Sequence, residues 1–201
     1  MKITGQFVLV ILGPTGVGKS TIIQELTKKT SQFEIPRSYT TRPSRPNDSF
    51  LNIVSVSKKD YYRIRRTGVM LIDTRYTYGK FSQLNGLTER DLKEVITKEK
   101  IPVFDLSLST LRTLRKKTNL KLLSIYLLPP SKTELVKRIK KRYAGGPTKK
   151  HLIARIKKAI SETEKAKKIK PGQDIDFILI NNRLDTVTKT IIELCRHVSK
   201  N

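Results

Sequence analysis

The chain predicts a three-layer α/β fold around a central parallel sheet, and three observations carry that prediction. Short apolar runs recur along it, each ended by a turn signal. Helical patterns lie between those runs, the alternation expected of parallel strands joined by crossover helices. The first run leads through a glycine-rich turn, Gly13-Pro14-Thr15-Gly16-Val17-Gly18-Lys19-Ser20, into a helix.

The first strand is Phe7-Val8-Leu9-Val10-Ile11-Leu12, short, apolar and rich in β-branched residues, as a strand buried on both faces should be. Ser20 and Thr21 open the helix behind the turn. Ile101–Asp105 is a second strand and ends in an acid. Leu122–Leu128 is a third, stopped by Pro129-Pro130, and Phe177–Ile180 a fourth, stopped by Asn181-Asn182. Helices are predicted at about 87–99, 107–118, 132–143, 150–168 and 185–199. Residues 34–84 break the rhythm with Pro36, Pro43, Pro46, several tyrosines and short alternating segments, and read as an inserted α+β lobe. Residues 136–160 are basic and helical around Ala144-Gly145-Gly146-Pro147, which predicts a two-helix lid.

With 201 residues, 37% hydrophobic and 29% charged, the composition is that of one compact folded domain. No apolar run is long enough for a transmembrane helix, and the start, Met1 to Gly5, is not that of a signal peptide. The lone cysteine, Cys195, sits in an apolar stretch and is expected to be a buried small hydrophobe, with the cytoplasm the default compartment. His151 and His197 have no metal-ligand spacing around them and receive no role. The net charge of +25 attracts phosphate in any form and allows nonspecific nucleic-acid contact. Much of it is concentrated between Lys132 and Lys170, with fifteen basic residues against three acids.

The turn after the first strand matches G-x-x-x-x-G-K-[ST] in full. Its glycines let successive backbone N–H groups curl around a phosphate, and the helix N-terminus adds partial positive charge. Lys19 would reach the β- and γ-phosphates and the Ser20 hydroxyl would ligate Mg²⁺. Residues 13 to 21 (Gly13, Pro14, Thr15, Gly16, Val17, Gly18, Lys19, Ser20 and Thr21) are therefore the expected ATP-binding segment. Asp105, an acid at the end of a core strand, is placed for a magnesium or substrate role; a helix cap for the segment from Leu108 is the alternative.

Ser38-Tyr39-Thr40-Thr41-Arg42-Pro43-Ser44-Arg45 resembles the S-x-T-T-R-x-x-R signature of guanylate kinases. The resemblance extends to Tyr78-Gly79, to Leu128-Pro129-Pro130-Ser131 and to Ile180-Asn181-Asn182-Arg183-Leu184-Asp185, and so covers most of the chain. It implies ATP and Mg²⁺ as cofactors and GMP as acceptor. Arg42, Arg45 and Tyr78 would hold the acceptor phosphate, with Ser38, Asp105 and Asp73 toward the guanine. Arg138 and Arg142, four apart on one helix face, and Arg155 would be the lid arginines that with Lys19 form the catalytic set. Residues 34–84 would be the monophosphate-binding lobe and 136–160 the lid.

The match has departures. The glutamate that reads guanine in the family falls near Ile72, where the nearest acid is Asp73. Lys80 follows the Tyr-Gly pair where Ser or Thr is usual. The family's G-x-D-Y segment has become Asp48-Ser49-Phe50-Leu51-Asn52, and its Asp-Ile-Asp is Asp105-Leu106-Ser107. Three readings therefore stand: a guanylate kinase, a kinase of the same family with another nucleoside monophosphate or a ribose phosphate as acceptor, and a non-catalytic binding module with a polyanion-binding surface. Oligomeric state, monomer or homodimer, is not legible in the sequence.

Overall fold

The computed structural model describes residues 7–45, 48–78, 81–143, 148–172 and 174–199, without the side chains of Tyr78 and Phe81. The first half runs β1 (Val8–Leu12), α1 (Lys19–Lys29), β2 (Phe33–Glu34), β3 (Ser38–Thr40), β4 (Ile53–Ser55), α2 (Lys58–Thr67), β5 (Met70–Tyr78) and β6 (Phe81–Thr88). The second half runs α3 (Glu89–Thr97), β7 (Ile101–Asp105), α4 (Leu108–Lys117), β8 (Leu122–Leu128), α5 (Lys132–Arg142), α6 (Lys149–Ala166), β9 (Phe177–Ile180) and α7 (Leu184–Val198).

Five strands form a parallel sheet in the order β2-β7-β1-β8-β9. Its centre, β1, is fully buried, and its side chains alternate between two cores. Leu9 and Ile11 pack against Ile22, Ile23 and Leu26 of α1 and Val187, Ile191 and Cys195 of α7. Val8, Val10 and Leu12 pack on the other face with Leu92 of α3, Leu111 of α4 and Ala166 of α6. Helices on both faces of a parallel sheet are the predicted three-layer architecture. Cys195 is fully buried and free, the small hydrophobe expected of it. No helix among the described residues is long and apolar enough to cross a membrane.

Strand order matters for function because β7 lies beside β1, pairing Ile11 with Asp105. The loops after both strands therefore open at the same sheet edge, where open α/β sheets bind their ligands.

The break in rhythm after β2 is a second, four-stranded sheet in the order β4-β3-β6-β5, with α2 against it. Its long hairpin, β5–β6, pairs Asp73 with Gly86 and Thr74 with Asn85. The hairpin leads into α3 at Thr88, whose hydroxyl accepts from the Asp91 N–H; α3 therefore begins two residues later than its apolar period suggests. Helices α5 and α6 form an antiparallel pair through Leu135, Ile139 and Ala159. The turn between them, Ala144 to Pro147, lies outside the described residues, as do Pro46, Gly79 and Lys80.

Candidate active site

The turn after β1 wraps a cavity with its glycines. Gly18 has φ 106°, a left-handed value that L side chains rarely adopt, and a Cβ there would stand 2.5 Å from Asn181 Nδ2. That amide, on the segment after β9, donates to the Val17 carbonyl at 2.7 Å and holds the loop from behind. Gly16 gives similar room to α5, since a Cβ there would meet Ile139 at 2.5 Å.

Helix α1 differs at its start from the four helices α2, α3, α4 and α5. Ser57, Thr88, Ser107 and Ser131 each cap one of those with a hydroxyl, whereas Gly18 has no side chain to offer α1. The first-turn N–H groups of α1 are therefore free of a side-chain cap and available to an anion. Ser20 and Thr21 lie on this first turn and line the cleft.

The Lys19 ammonium is folded back into the loop, donating to the carbonyls of Gly13 at 2.8 Å and Pro14 at 3.2 Å. Burial pushes it below the ordinary lysine range, and Asp105, with its Oδ2 at 4.0 Å, opposes that shift. The alternative of Asp105 as a helix cap does not hold: Ser107 caps α4, accepting from the Thr110 N–H. Asp105 keeps a half-exposed carboxylate at the mouth of the loop.

This loop forms one end of a cleft of about 1140 Å³ that runs between the two sheets and the α5–α6 pair. Across it stand the arginines. Arg42 gives both guanidinium nitrogens to Asp48, at 2.6 Å each, and Asp48 also accepts from the Arg45 N–H at 2.8 Å. Burial alone would raise the Asp48 pKa, but these bonds and the Arg42 charge hold it below its ordinary value. Arg45 feels burial and then the charges of Arg42, Arg142 and Arg155, all pressing it toward losing its proton. Such crowding of like charges is tolerable where an anion is meant to sit.

The arginines of α5 and α6 have distinct surroundings. Arg138 is held by Glu134 at 2.8 Å and donates to the Val17 carbonyl at 3.3 Å, tying α5 to the loop. Arg142 and Arg155 flank the Tyr143 ring at 5.8 and 4.8 Å, and Arg155 also donates to the Tyr143 hydroxyl at 3.0 Å. Sequence reasoning missed Tyr143, Asp48 and Asn181, the residues that hold the others in place. Asn181 fell inside a recognised motif, but no local pattern singled it out.

On the wall formed by the four-stranded sheet, Ser38 lines the cleft from β3. Asp73 does not. Strand alternation turns Ile72, Thr74 and Tyr76 toward the cleft and Asp73 the other way, where it accepts from the Tyr61 hydroxyl at 3.0 Å and pairs with Arg65 at 2.9 Å. The expectation that Asp73 faces the acceptor is thereby corrected. Tyr78 closes the hairpin opposite Phe81, and its side chain lies outside the described residues.

No group of three or more His, Cys, Asp or Glu able to hold a metal occurs among the described residues. One hydroxyl and one carboxylate, Ser20 and Asp105, are a donor set that suits Mg²⁺, which binds through few protein groups together with phosphate oxygens and water.

A cleft built to receive phosphate from both walls defines a P-loop phosphotransferase. The chain belongs to the guanylate kinase family, whose model matches residues 6–198. It is 33% identical to the guanylate kinase of Sus scrofa over 183 residues, covering 88% of this chain and 85% of that one. It is 27% identical to the guanylate kinase of Agrobacterium fabrum, covering 91% and 78%. The crystal structure of guanylate kinase from Anaplasma phagocytophilum superposes with a TM-score of 0.71 at 17% identity, over 100% of this chain and 90% of that one, a likeness of fold.

Proposed function

We propose that the chain is a guanylate kinase that moves the γ-phosphoryl group of ATP to the phosphate of GMP, giving ADP and GDP. The observation that carries this reading is the meeting, across one cleft, of the uncapped α1 loop with the Arg42, Arg45, Arg142 and Arg155 cluster. An oxygen of the acceptor phosphate attacks the γ-phosphorus as the bond to the β-phosphate oxygen breaks, and no covalent enzyme intermediate is needed.

The roles follow from position. The backbone of residues 13 to 21 cradles the ATP phosphates, and Lys19 brings positive charge to the transferred group. Arg42, locked by Asp48, sets the frame in which Arg45 binds the acceptor phosphate. Arg142 and Arg155 come from the lid and neutralise charge that develops in transfer, while Arg138 anchors α5 to the loop. Ser20 and Asp105 would hold Mg²⁺, which would supply charge neutralisation to the ATP phosphates. Closure of the lid excludes water that would otherwise take the phosphoryl group. The cytoplasm, where these nucleotides are held, suits this activity, and any nucleic-acid affinity from the +25 charge should vanish at raised salt.

The test is ADP release by purified protein with Mg-ATP against GMP, dGMP, AMP, UMP, CMP and ribose phosphates. Turnover with GMP is expected. Turnover confined to another acceptor would change the substrate, and silence throughout would leave a binding module.

A further inference from the structure

Residues directly opposite each other in an antiparallel pair share a face. In the β5–β6 hairpin, Asp73 and Gly86 face α2, where a Cβ on Gly86 would meet the Tyr61 hydroxyl at 2.6 Å. Thr74 and Asn85, the next pair, face the cleft.

Asn85 is held in one orientation. Its Oδ1 accepts from the Thr40 hydroxyl at 2.8 Å and from Gln83 Nε2 at 3.5 Å. The Thr40 oxygen in turn accepts from the Arg42 N–H at 3.4 Å, so donor directions run in sequence from the phosphate clamp to this amide. With Oδ1 occupied, Nδ2 is the free end of the group. Among the described side chains, Asn85 Nδ2 is the buried polar atom without a hydrogen-bond partner. A buried donor left unmet is destabilising until an acceptor atom reaches it, and such groups in native proteins call for an explanation.

The acids that line the cleft lie elsewhere. Asp48 is bound to Arg42, Asp105 stands by Lys19, and Glu162 belongs to α6. Among the described residues, none on the cleft face of β3, β5 or β6 is acidic. That wall offers an amide donor and the hydroxyls of Ser38 and Thr74, with no carboxylate to meet a base's ring N–H and amino groups.

We infer that Asn85 reads the acceptor base by donating from Nδ2 to a carbonyl oxygen on it, and that the cleft takes oxopurine monophosphates with or without a 2-amino group. The inference rests on the guanylate kinase reading and deepens it. An amino group in place of the carbonyl would set donor against donor and be rejected. The 2-amino group, with no carboxylate partner on that wall among the described residues, contributes little.

The experiment compares kcat/KM for GMP, IMP and AMP at saturating Mg-ATP in the wild type, Asn85→Ala and Asn85→Asp, with KM for ATP and GMP binding by calorimetry alongside. In the wild type, GMP and IMP should lie within about tenfold of each other and AMP about a hundredfold or more below both. Asn85→Ala should lower both oxopurines by about tenfold to a hundredfold, narrow the gap to AMP and leave KM for ATP unchanged. Asn85→Asp, which presents acceptors in place of the donor, should raise AMP relative to GMP. A wild type that prefers GMP over IMP by more than about a hundredfold, or an unchanged GMP to AMP ratio in Asn85→Ala, overturns the inference and leaves the kinase reading intact. Wild-type protein that neither binds nor turns over GMP overturns both. The wild-type ratios require no variant, so a misfolded variant does not remove the test.

Discussion

Arg42 and Asp48 grip each other through two hydrogen bonds of 2.6 Å, and the Asp48 side chain is only 4% exposed. A buried acid of this kind belongs to the framework of the site. Asp48→Asn should destabilise the protein by about 3 kcal/mol at neutral pH, because it leaves the Arg42 charge without its counter-ion. The folded-state carboxyl titrates below its ordinary 3.8, so the pair's contribution is complete above that value and is lost as the pH falls through the depressed one. The gap between wild type and variant in urea unfolding should therefore be constant near neutrality and shrink as the pH drops below 3.8.

The two clamp arginines should separate by their costs. Arg45→Ala should raise KM for GMP by more than about tenfold with little change in Tm or in KM for ATP. Arg42→Ala should raise KM for GMP and also lower Tm, since Asp48 is left buried and unpaired. Paired measurements of Tm and both KM values check this. An unmoved GMP KM in Arg45→Ala would remove the acceptor phosphate from this cluster.

Lys19→Ala should abolish turnover, by about a thousandfold or more, and leave the far-UV circular dichroism unchanged. Among the described residues, the ammonium bonds two loop carbonyls and otherwise comes near Asp105, at 4.0 Å. A variant that unfolds would show that the lysine holds the loop together rather than serving the phosphate.

Burial pushes the Cys195 thiol up to about 12. The folded protein keeps that proton at a pH where the unfolded chain, with an ordinary 9.0, releases it. Stability should therefore fall as the pH rises above 9, and Cys195→Ala should remove part of that slope. Iodoacetamide at pH 8 should label the native protein slowly and the urea-unfolded chain at once.

What the sequence disclosed follows from which interactions are local. Strands β1, β7 and β8 are largely buried, so each stood out as a mainly apolar run, unbroken in β1 and interrupted in β8 by Ser124. β2 has two residues, Phe33 and Glu34, too few for any period. Helix α2 carried a signal that went unread, Ser57 followed three residues later by Asp60, whose N–H the Ser57 hydroxyl accepts. The phosphate loop was legible because its chemistry needs contiguous residues. The base side of the cleft was not, since the facing of Asp73 depends on a pairing partner thirteen positions away, Gly86. Asn85 belongs to no motif, and only the unmet nitrogen in three dimensions draws notice to it.

The β5–β6 hairpin also limits how such a chain can change. Its two faces carry different obligations, Asp73 and Gly86 to α2, Thr74 and Asn85 to the ligand. Losing one residue from a single strand on the tip side of these pairs would put pairing out of step or demand a bulge, and a step the other way would send the ligand-facing amide under the helix. Trimming one residue from each strand beyond Tyr76 and Gln83 leaves the inner pairs in register, shortens the tip and turns over only the residues beyond the cut. Length variation among descendants of this chain should therefore come in matched pairs, an inheritance rule written by the pleat.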